Sequence, residues 1–230
     1  MSAPGMEARC LGLIGGLGVG ATVHYYRRIV AAHEARGRVP RLTIAHADTG
    51  RVYALAGARD FDGLARYLAA FIKDMAAGGA EFAAMVAATP HLCTPQLTAI
   101  SPLPLIDMLD EVAAAVRARG LTRVALLGTR FTVESRFFGR LEGVETVMPR
   151  ADELELIHTV YSRLVAGKAS PAEIDQLKTL GRTFVARDGA EAVLLAGTDL
   201  ATVMDAAALD FPAVDCAQVH IDAIVQKMLG

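Results

Sequence analysis

Residues 81–89 have the sequence EFAAMVAAT, and residues 191–198 have the sequence EAVLLAGT. Each stretch starts with an acid, continues as a short apolar run and ends in two small residues followed by Thr. A short apolar run of this kind is typical of a buried strand. In open α/β sheets, ligands bind at the carboxyl ends of the strands. The pair therefore predicts two equivalent strand-end turns near a binding site, although ordinary strand-to-helix turn chemistry would explain either turn alone.

Outward from these turns, short apolar runs alternate with helical patterns. The other predicted strands are 10–14, 42–47, 124–127 and 213–214. The main predicted helices are 22–36, 61–78, 109–119, 151–166, 171–187 and 220–229. Alternation of this kind is typical of βαβ units with parallel sheets. The sequence thus predicts an α/β protein, and 230 residues fit either one large domain or two lobes of about 100–120 residues.

The composition argues against several classes of partner. The formal net charge is −2 and the chain contains no Trp. Binding to nucleic acid or to a membrane surface needs a basic patch, so neither partner is expected. No apolar run approaches the ~20 residues that span a membrane. The segment Met1–Arg9 is too polar for a signal peptide, which predicts a cytoplasmic protein.

The chain contains three cysteines, Cys10, Cys93 and Cys216, without paired spacing. Reduced thiols are the simplest interpretation for a cytoplasmic protein. Zinc sites use closely spaced Cys and His pairs, so no metal site is predicted.

The first predicted strand ends in a glycine-rich run, GGLGVG at residues 15–20. Starting from Gly16, the run matches the dinucleotide pattern G-x-G-x-x-G/A loosely, with Ala21 in the last place. The acid that should end the second strand, Asp48, stands about 30 residues further on instead of about 20. We favour the other use of this geometry, in which the turn amides around Gly16 and Leu17 face a carboxylate ligand.

Several polar side chains follow predicted strands or begin or follow helices. The candidates are Asp48, Arg51, His91, Thr129, Thr132, Lys168 and Cys216. Each also has a structural explanation: the charged residues as surface groups, the histidine as a structural hydrogen-bond partner, the threonines as helix caps and the cysteine as a buried, inert thiol.

Taken in order, these turns resemble the aspartate/glutamate racemase family, particularly its aspartate racemase branch, over nearly the whole chain. GLIGG at residues 12–16, with Thr22 and YYR at 25–27, is similar to the family's opening strand and helix. LGTRFT at residues 127–132 is the most specific match. Two further stretches resemble the cysteine motifs C-N-T-x-H and G-C-T-E: TPH at 89–91 and LAGTDL at 195–200. Asp215 with His220 resembles the closing motif D-T-T-x-x-H.

The resemblance implies two pseudo-symmetric lobes, each a mostly parallel sheet flanked by helices, with the ligand cleft between them. The expected boundaries are 1–105 plus 211–230 for one lobe and 106–210 for the other. It further implies a small carboxylate ligand, a homodimer, and α-proton exchange by one cysteine on each side without any cofactor.

The chain departs from the family at the reacting positions. Ala87 and Gly197 stand where the family has its two cysteines, and Ala88 stands where it has Asn. Neither Ala nor Gly can transfer a proton, so racemisation by two thiols is not expected. Cys216 and then Cys93 are the nearest other thiols by motif.

Two functions stay open. The first is an isomerase or lyase in which His91, Asp199 or Cys216 serves as acid or base. The second is a carboxylate-binding protein without catalysis. The retained polar residues favour the first, and the missing thiols favour the second. The residues expected to line the ligand site are Gly16, Leu17, Asp48, Arg51, Ala87, Ala88, Thr89, Thr129, Thr132, Lys168, Gly197 and Thr198.

Overall fold

The computed structural model describes residues 8–230. The segment Met1–Arg9, from which the sequence predicts the absence of a signal peptide, lies mostly outside the described residues. The first sheet contains the strands β1 (Leu11–Gly15), β2 (Leu42–His46), β3 (Phe82–Met85) and β4 (Leu105–Ile106). Their spatial order is β2-β1-β3-β4, and neighbouring strands are parallel.

The second sheet repeats this arrangement. It contains β5 (Arg123–Leu127), β6 (Glu145–Val147), β7 (Ala192–Leu195) and β8 (Ala213–Asp215). The order β6-β5-β7-β8, again parallel, matches the first sheet strand for strand. The predicted α/β fold with two pseudo-symmetric parallel sheets is therefore confirmed, and β3 and β7 occupy equivalent central places.

Helices flank both sheets. They are α1 (Val19–Glu34), α2 (Thr49–Gly57), α3 (Phe61–Ala77), α4 (Thr94–Ile100), α5 (Met108–Ala118), α6 (Arg130–Glu134), α7 (Ala151–Val165), α8 (Pro171–Ala186) and α9 (Cys216–Leu229). In α3, Leu64, Leu68 and Ile72 are buried at helical spacing, and each contributes about 1.5–3 kcal/mol relative to exposure. Within residues 8–230, no helix is long and apolar enough to cross a membrane.

One of the two hydrophobic clusters spans both halves of the chain. Successive residues of β5 point to opposite faces, as in any strand. Val124 and Leu126 pack into a core with β1, β3, α5 and α9, whereas Ala125 and Leu127 pack into a second core with α7 and α8. The sheets are therefore joined through a packed interior.

The predicted boundaries between the lobes remain a prediction, but one strand differs from the grouping expected. β8 lies in the segment 211–230, which was assigned to the first half, yet it pairs with β7 of the second sheet. The following helix, α9, packs against α1 and α5.

Candidate functional site

A cavity of about 630 Å³ is lined by residues of both halves of the chain. The lining residues are Tyr53, Ala56, Gly57, Arg59, Thr89, Thr129, Arg130, Phe131, Glu134, His158, Tyr161, Ser162 and Val165. They come from α2, the turn after β3, the turn after β5, α6 and α7. The cavity thus meets the sheets at strand carboxyl ends, where ligands bind in parallel sheets.

The turn after β3 contributes a single hydroxyl to this cavity. Ala87 is half-buried and Ala88 is buried against the core. Thr89 opens a short 3-10 helix, Thr89–Cys93, and lines the cavity. Its hydroxyl makes no hydrogen bond with any described residue, so it is available to a ligand.

The equivalent turn after β7 is built differently, because a tyrosine fills the space above Gly197. The backbone of Gly197 is extended and would accept any L-residue. However, a Cβ atom at this position would lie 2.6 Å from the hydroxyl oxygen of Tyr161 and closer still to its ring. Tyr161, on α7, is nearly buried and lines the cavity. Its ring therefore occupies the volume that a side chain at position 197 would need.

Tyr161 contacts the carboxylate of Asp199, which follows two residues after Gly197. The Tyr161 hydroxyl donates to Asp199 Oδ2 at 3.5 Å. Burial, and then the charge of Asp199, raises the pKa of Tyr161 well above its ordinary value. Burial also raises the pKa of Asp199, against the opposing hydrogen bonds from the Ala21 backbone and from Tyr161. The pair is a protonated phenol beside a carboxylate that is unusually easy to protonate.

The glycine run of the first half makes room for this same carboxylate. Gly18 has φ +113°, and a Cβ there would lie 2.7 Å from Asp199 Oδ2. The backbone N–H of Ala21, in the first turn of α1, donates to Asp199. The sequence suggested that the turn faces the carboxylate of a ligand. In the structure, the carboxylate near Gly18 belongs to Asp199, which comes from the other half of the chain and caps α1.

Gly16 and Leu17 lie before this contact. Gly16 has φ +81°, its N–H donates to Thr22, and its carbonyl accepts from Thr49 at 2.5 Å. Leu17 is buried in the core. Both residues shape the turn, and neither lines the cavity.

Thr129 and Thr132 form a hydroxyl pair beneath the cavity. Thr129 caps α6 by accepting from the Thr132 backbone N–H, and the two hydroxyl oxygens are 2.8 Å apart. Thr129 lines the cavity with Thr89, whereas Thr132 and Thr198 are buried outside its lining. The sequence expected all four threonines at one cavity, and the structure brings two of them there.

His91, the first candidate for an acid or base, points into the protein interior. It is buried, and its Nδ1 lies 3.2 Å from Asp107 Oδ1. Asp107 also accepts from the Leu109 backbone N–H at the start of α5. Burial raises the pKa of Asp107, but the contacts with His91 and its other hydrogen-bond donors outweigh burial and hold that pKa well below its usual range. The His91 side chain thus lies in the interior beside Asp107 and does not line the cavity.

A second buried histidine stands beside it. The rings of His91 and His220 have centroids 5.8 Å apart. His220 Nδ1 lies 3.0 Å from the Tyr25 hydroxyl, and its Nε2 lies 3.2 Å from the Ile106 carbonyl oxygen. Burial, and then His91, lowers the pKa of His220 to about 3. In the neutral ring, Nε2 therefore donates to Ile106 and Nδ1 accepts from Tyr25.

The remaining candidates lie away from the cavity. Asp48 caps α2 through the backbone N–H groups of Gly50 and Arg51. The Arg51 guanidinium stacks on the Tyr67 ring, 4.4 Å from its centroid. Lys168 is exposed after α7. The sequence predicts Asp48 and Arg51 at the ligand site, or else as surface groups, but they begin a helix that the sequence did not predict.

The thiols are buried as well. Burial raises the pKa of Cys93 to about 12 and raises that of Cys216 well above its ordinary value. Cys10 is also buried and free. None of the three lines the cavity, and a buried protonated thiol is a poor nucleophile or base.

Two arginines of the cavity differ in their partners. Arg130 pairs with Glu155 and, at 3.7 Å, with Glu134. Arg59 is exposed at the cavity and makes no ion pair with any described residue. One positive charge at the cavity is therefore uncompensated by the protein.

Comparison with known proteins identifies the relatives of this fold. A family model described as Asp/Glu/Hydantoin racemase matches residues 14–224. A candidate Asp/Glu racemase from Yersinia pestis is 25% identical, with a TM-score of 0.83 over 96% of this chain and 100% of that one. An aspartate racemase homologue from Pyrococcus horikoshii is 24% identical, with a TM-score of 0.80 over 95% and 98% of the two chains. This chain belongs to the Asp/Glu/hydantoin racemase family.

Proposed function

We propose that this protein is a cofactor-independent enzyme of the isomerase or lyase type, which moves a proton on a carboxylate bound in the cavity without using two cysteines. The observation that carries the proposal is the Tyr161 ring. It fills the space of a side chain at position 197 and places its hydroxyl 3.5 Å from Asp199. A group able to transfer protons thus stands at the edge of the cavity, where the family resemblance expects a thiol.

The absence of suitable thiols supports a different reaction from racemisation. By resemblance, Ala87 and Gly197 stand at the two cysteine positions. The raised pKa values of Cys93 and Cys216 oppose formation of a thiolate. Racemisation needs a proton acceptor on one face of the carbon and a donor on the other. In the proposed reaction, only Tyr161 and Asp199 transfer protons, from one side, and the lining residues Tyr53 and His158 take no part.

In the proposed mechanism, the Tyr161 hydroxyl contacts the reacting carbon and Asp199 acts through it. During abstraction, the phenol oxygen takes the proton from carbon while its own proton passes to Asp199. During protonation, the hydroxyl gives its proton to the carbon and regains one from Asp199. The Thr89 hydroxyl and the Arg59 guanidinium would stabilise the charge that develops on the carboxylate. A one-sided pair of this kind suits three reactions of the ligand: α-proton exchange with retention of configuration, transfer of a proton from one carbon to another, and protonation of carbon after loss of carbon dioxide.

A carboxylate-binding protein without catalysis is the alternative, and one observation favours it. Asp199 is nearly buried and accepts a hydrogen bond at the start of α1. Capping a helix is a sufficient structural reason for a carboxylate at this place. In that case Tyr161 would only fill the space above Gly197.

Deuterium exchange distinguishes the two functions. Carboxylates that bind are incubated with the protein in deuterated water, and incorporation at carbon is followed by NMR. Tyr161→Phe keeps the ring above Gly197 and removes the hydroxyl. The proposal predicts unchanged binding with incorporation lowered about 100-fold or more, the usual contribution of a general acid or base. Tyr26→Phe, at an exposed tyrosine of α1 outside the cavity, is the matched control. If every carboxylate that binds fails to exchange, the alternative holds.

The expected form of the protein, a cytoplasmic homodimer without a cofactor, rests on the family resemblance and the composition. Light scattering coupled to size-exclusion chromatography would test the dimer directly.

A further inference from the structure

We infer that the ligand of the cavity is a carboxylate without an amino group, carrying a bulky apolar substituent and anchored by Arg59. The inference rests on the proposed function only in taking the cavity as the ligand site. It departs from the amino acids that the family name suggests.

Arg59 occupies a position that normally favours glycine. It follows Ala58, the C-cap residue of α2, and has φ +54°, in the left-handed region. The backbone N–H of Arg59 donates to the Ala56 carbonyl, and that of Asp60 donates to the Leu55 carbonyl. This pair of bonds is a Schellman motif, in which glycine is the usual residue at the left-handed position. A side chain retained there at a conformational cost suggests that its charge is used.

The charges that line the cavity suit a carboxylate better than an ammonium group, because Asp199 is outside the lining and already accepts from Tyr161. Arg59 has no ion-pair partner among the described residues, so a ligand carboxylate would meet a free guanidinium. Glu134 is the one carboxylate among the lining residues, and it is already paired with Arg130. An amino acid would therefore bring a positive charge into a site where the cations outnumber the anions. Desolvating an unpaired charge is costly, so the amino group should weaken binding.

The walls of the cavity suit an apolar substituent. Tyr53 and Ala56 line it from α2, and Phe131 and Val165 line it from the second half. Phe131 is 43% exposed, and its ring contacts that of Phe138 with centroids 5.6 Å apart. A ligand ring placed against Phe131 would cover apolar surface that water now contacts, which favours binding. The volume of about 630 Å³ falls in the range of pockets for drug-sized ligands and exceeds the needs of a four-carbon acid.

Isothermal titration calorimetry on the whole chain tests this inference with three probes. 3-Phenylpropionate has the predicted features. Phenylalanine differs from it by the amino group, and succinate lacks the ring. We expect 3-phenylpropionate to bind at least about tenfold more tightly than either of the others, which corresponds to about 1.4 kcal/mol.

Two variants with matched controls locate the contacts. Arg59→Gln should weaken the binding of 3-phenylpropionate about 10- to 100-fold, the range for a lost charged hydrogen bond. Arg66→Gln, at an exposed arginine of α3 outside the cavity, should leave it unchanged. Phe131→Ala should weaken binding, and Val203→Ala, at a similarly exposed apolar residue, should not. Thermal melts confirm that each variant is folded.

Each outcome decides a separate point. Equal or tighter binding of phenylalanine or succinate, or no binding of any probe, overturns the ligand class. Equal affinities of Arg59→Gln and Arg66→Gln overturn the anchor. Binding with the predicted selectivity but without deuterium exchange contradicts the proposed catalysis and leaves the ligand class intact. Exchange on a tightly bound amino acid contradicts the ligand class and leaves the catalysis intact.

Discussion

The turns after β3 and β7 occupy equivalent places in the two sheets, and their sequences have the same form, yet they present different chemistry. The first offers the cavity the hydroxyl of Thr89, while His91 turns inward to Asp107. The second holds the ring of Tyr161 above Gly197 and places its hydroxyl beside Asp199.

This difference shows how a pseudo-symmetric fold can carry an asymmetric site. Equivalent strand ends fix where side chains meet the cavity, but tertiary neighbours decide which groups arrive there. In the first half, the titratable side chain of His91 is buried beside Asp107 and does not reach the cavity. In the second half, α7 supplies the phenol of Tyr161 above Gly197, which has no side chain of its own. The predictions below test whether the two turns differ in this way.

The largest effect is expected from His220, which is buried behind the first turn. The pKa of His220 is lowered from 6.5 to about 3 in the folded chain, so the unfolded chain takes up a proton first as the pH falls. The contribution of His220 to stability should be fully present above about pH 6.5 and fall by roughly 3–5 kcal/mol towards pH 3. Urea denaturation at several pH values measures this.

The contribution of His220 is isolated by substitution. In His220→Gln, the fall of the unfolding free energy with decreasing pH should be much shallower than in the wild type. His46→Asn, at an exposed histidine of β2, should keep the wild-type slope. Parallel slopes for wild type and His220→Gln would mean that His220 is not held neutral by the fold.

The next effect concerns the second turn. Gly197→Ala should lower the unfolding free energy by about 1–3 kcal/mol, because the added methyl group meets the Tyr161 ring in a packed site. Gly57→Ala, at a helical glycine with open space, should be neutral or stabilise by about 0.4–1 kcal/mol. Chemical denaturation measures both.

A double-mutant cycle tests the cause of this destabilisation. On a Tyr161→Ala background the ring is gone, so Gly197→Ala should lose its penalty. If the same penalty persists without the ring, something other than Tyr161 excludes a side chain at position 197.

Smaller effects on stability are expected for the threonines at the cavity, Thr89 in the turn after β3 and Thr129 in the turn after β5. The Thr89 hydroxyl has no partner among the described residues, so Thr89→Val should leave the unfolding free energy within about 0.5 kcal/mol of wild type. Thr129 caps α6, so Thr129→Val should cost about 1 kcal/mol. Both should weaken carboxylate binding, measured by calorimetry. Stronger destabilisation by Thr89→Val would show that Thr89 has a structural role.

Thr132→Val removes the hydroxyl that is hydrogen-bonded to Thr129. We expect carboxylate binding to weaken by about 1–3 kcal/mol, the range for a polar partner left unsatisfied. Unchanged affinity in the same titration would show that Thr129 keeps its orientation without the Thr132 hydroxyl.

The sequence was sufficient to predict most of the fold, because its strands are continuous apolar runs and its long helices have clear periodicity. The strand at 192–195 and the helix beginning at 151 have the predicted positions. The helix α2 was missed. It is short and contains Gly50 and Gly57, which lower helix propensity. Its cap, Asp48, was visible in the sequence only as a polar residue after a predicted strand.

The site was predicted only in part. Thr89 and Thr129 were found because they follow strands. Tyr161 was missed because helical periodicity indicates which face is buried but not what that face contacts. One signal was present: glycine in place of an expected cysteine can indicate that a large neighbour needs the space. Which neighbour it is depends on tertiary packing, and that information is not local in sequence.

The central claim is that proton transfer uses the Tyr161–Asp199 pair, which lies on one side of the cavity only. The most direct test is α-proton exchange with both enantiomers of aspartate and glutamate in deuterated water, followed by NMR and chiral chromatography. Because transfer is one-sided, the account predicts no change of configuration; because the cavity disfavours an amino group, it also predicts no incorporation of deuterium into aspartate or glutamate above a control without protein. Incorporation accompanied by conversion of either enantiomer into the other would contradict it.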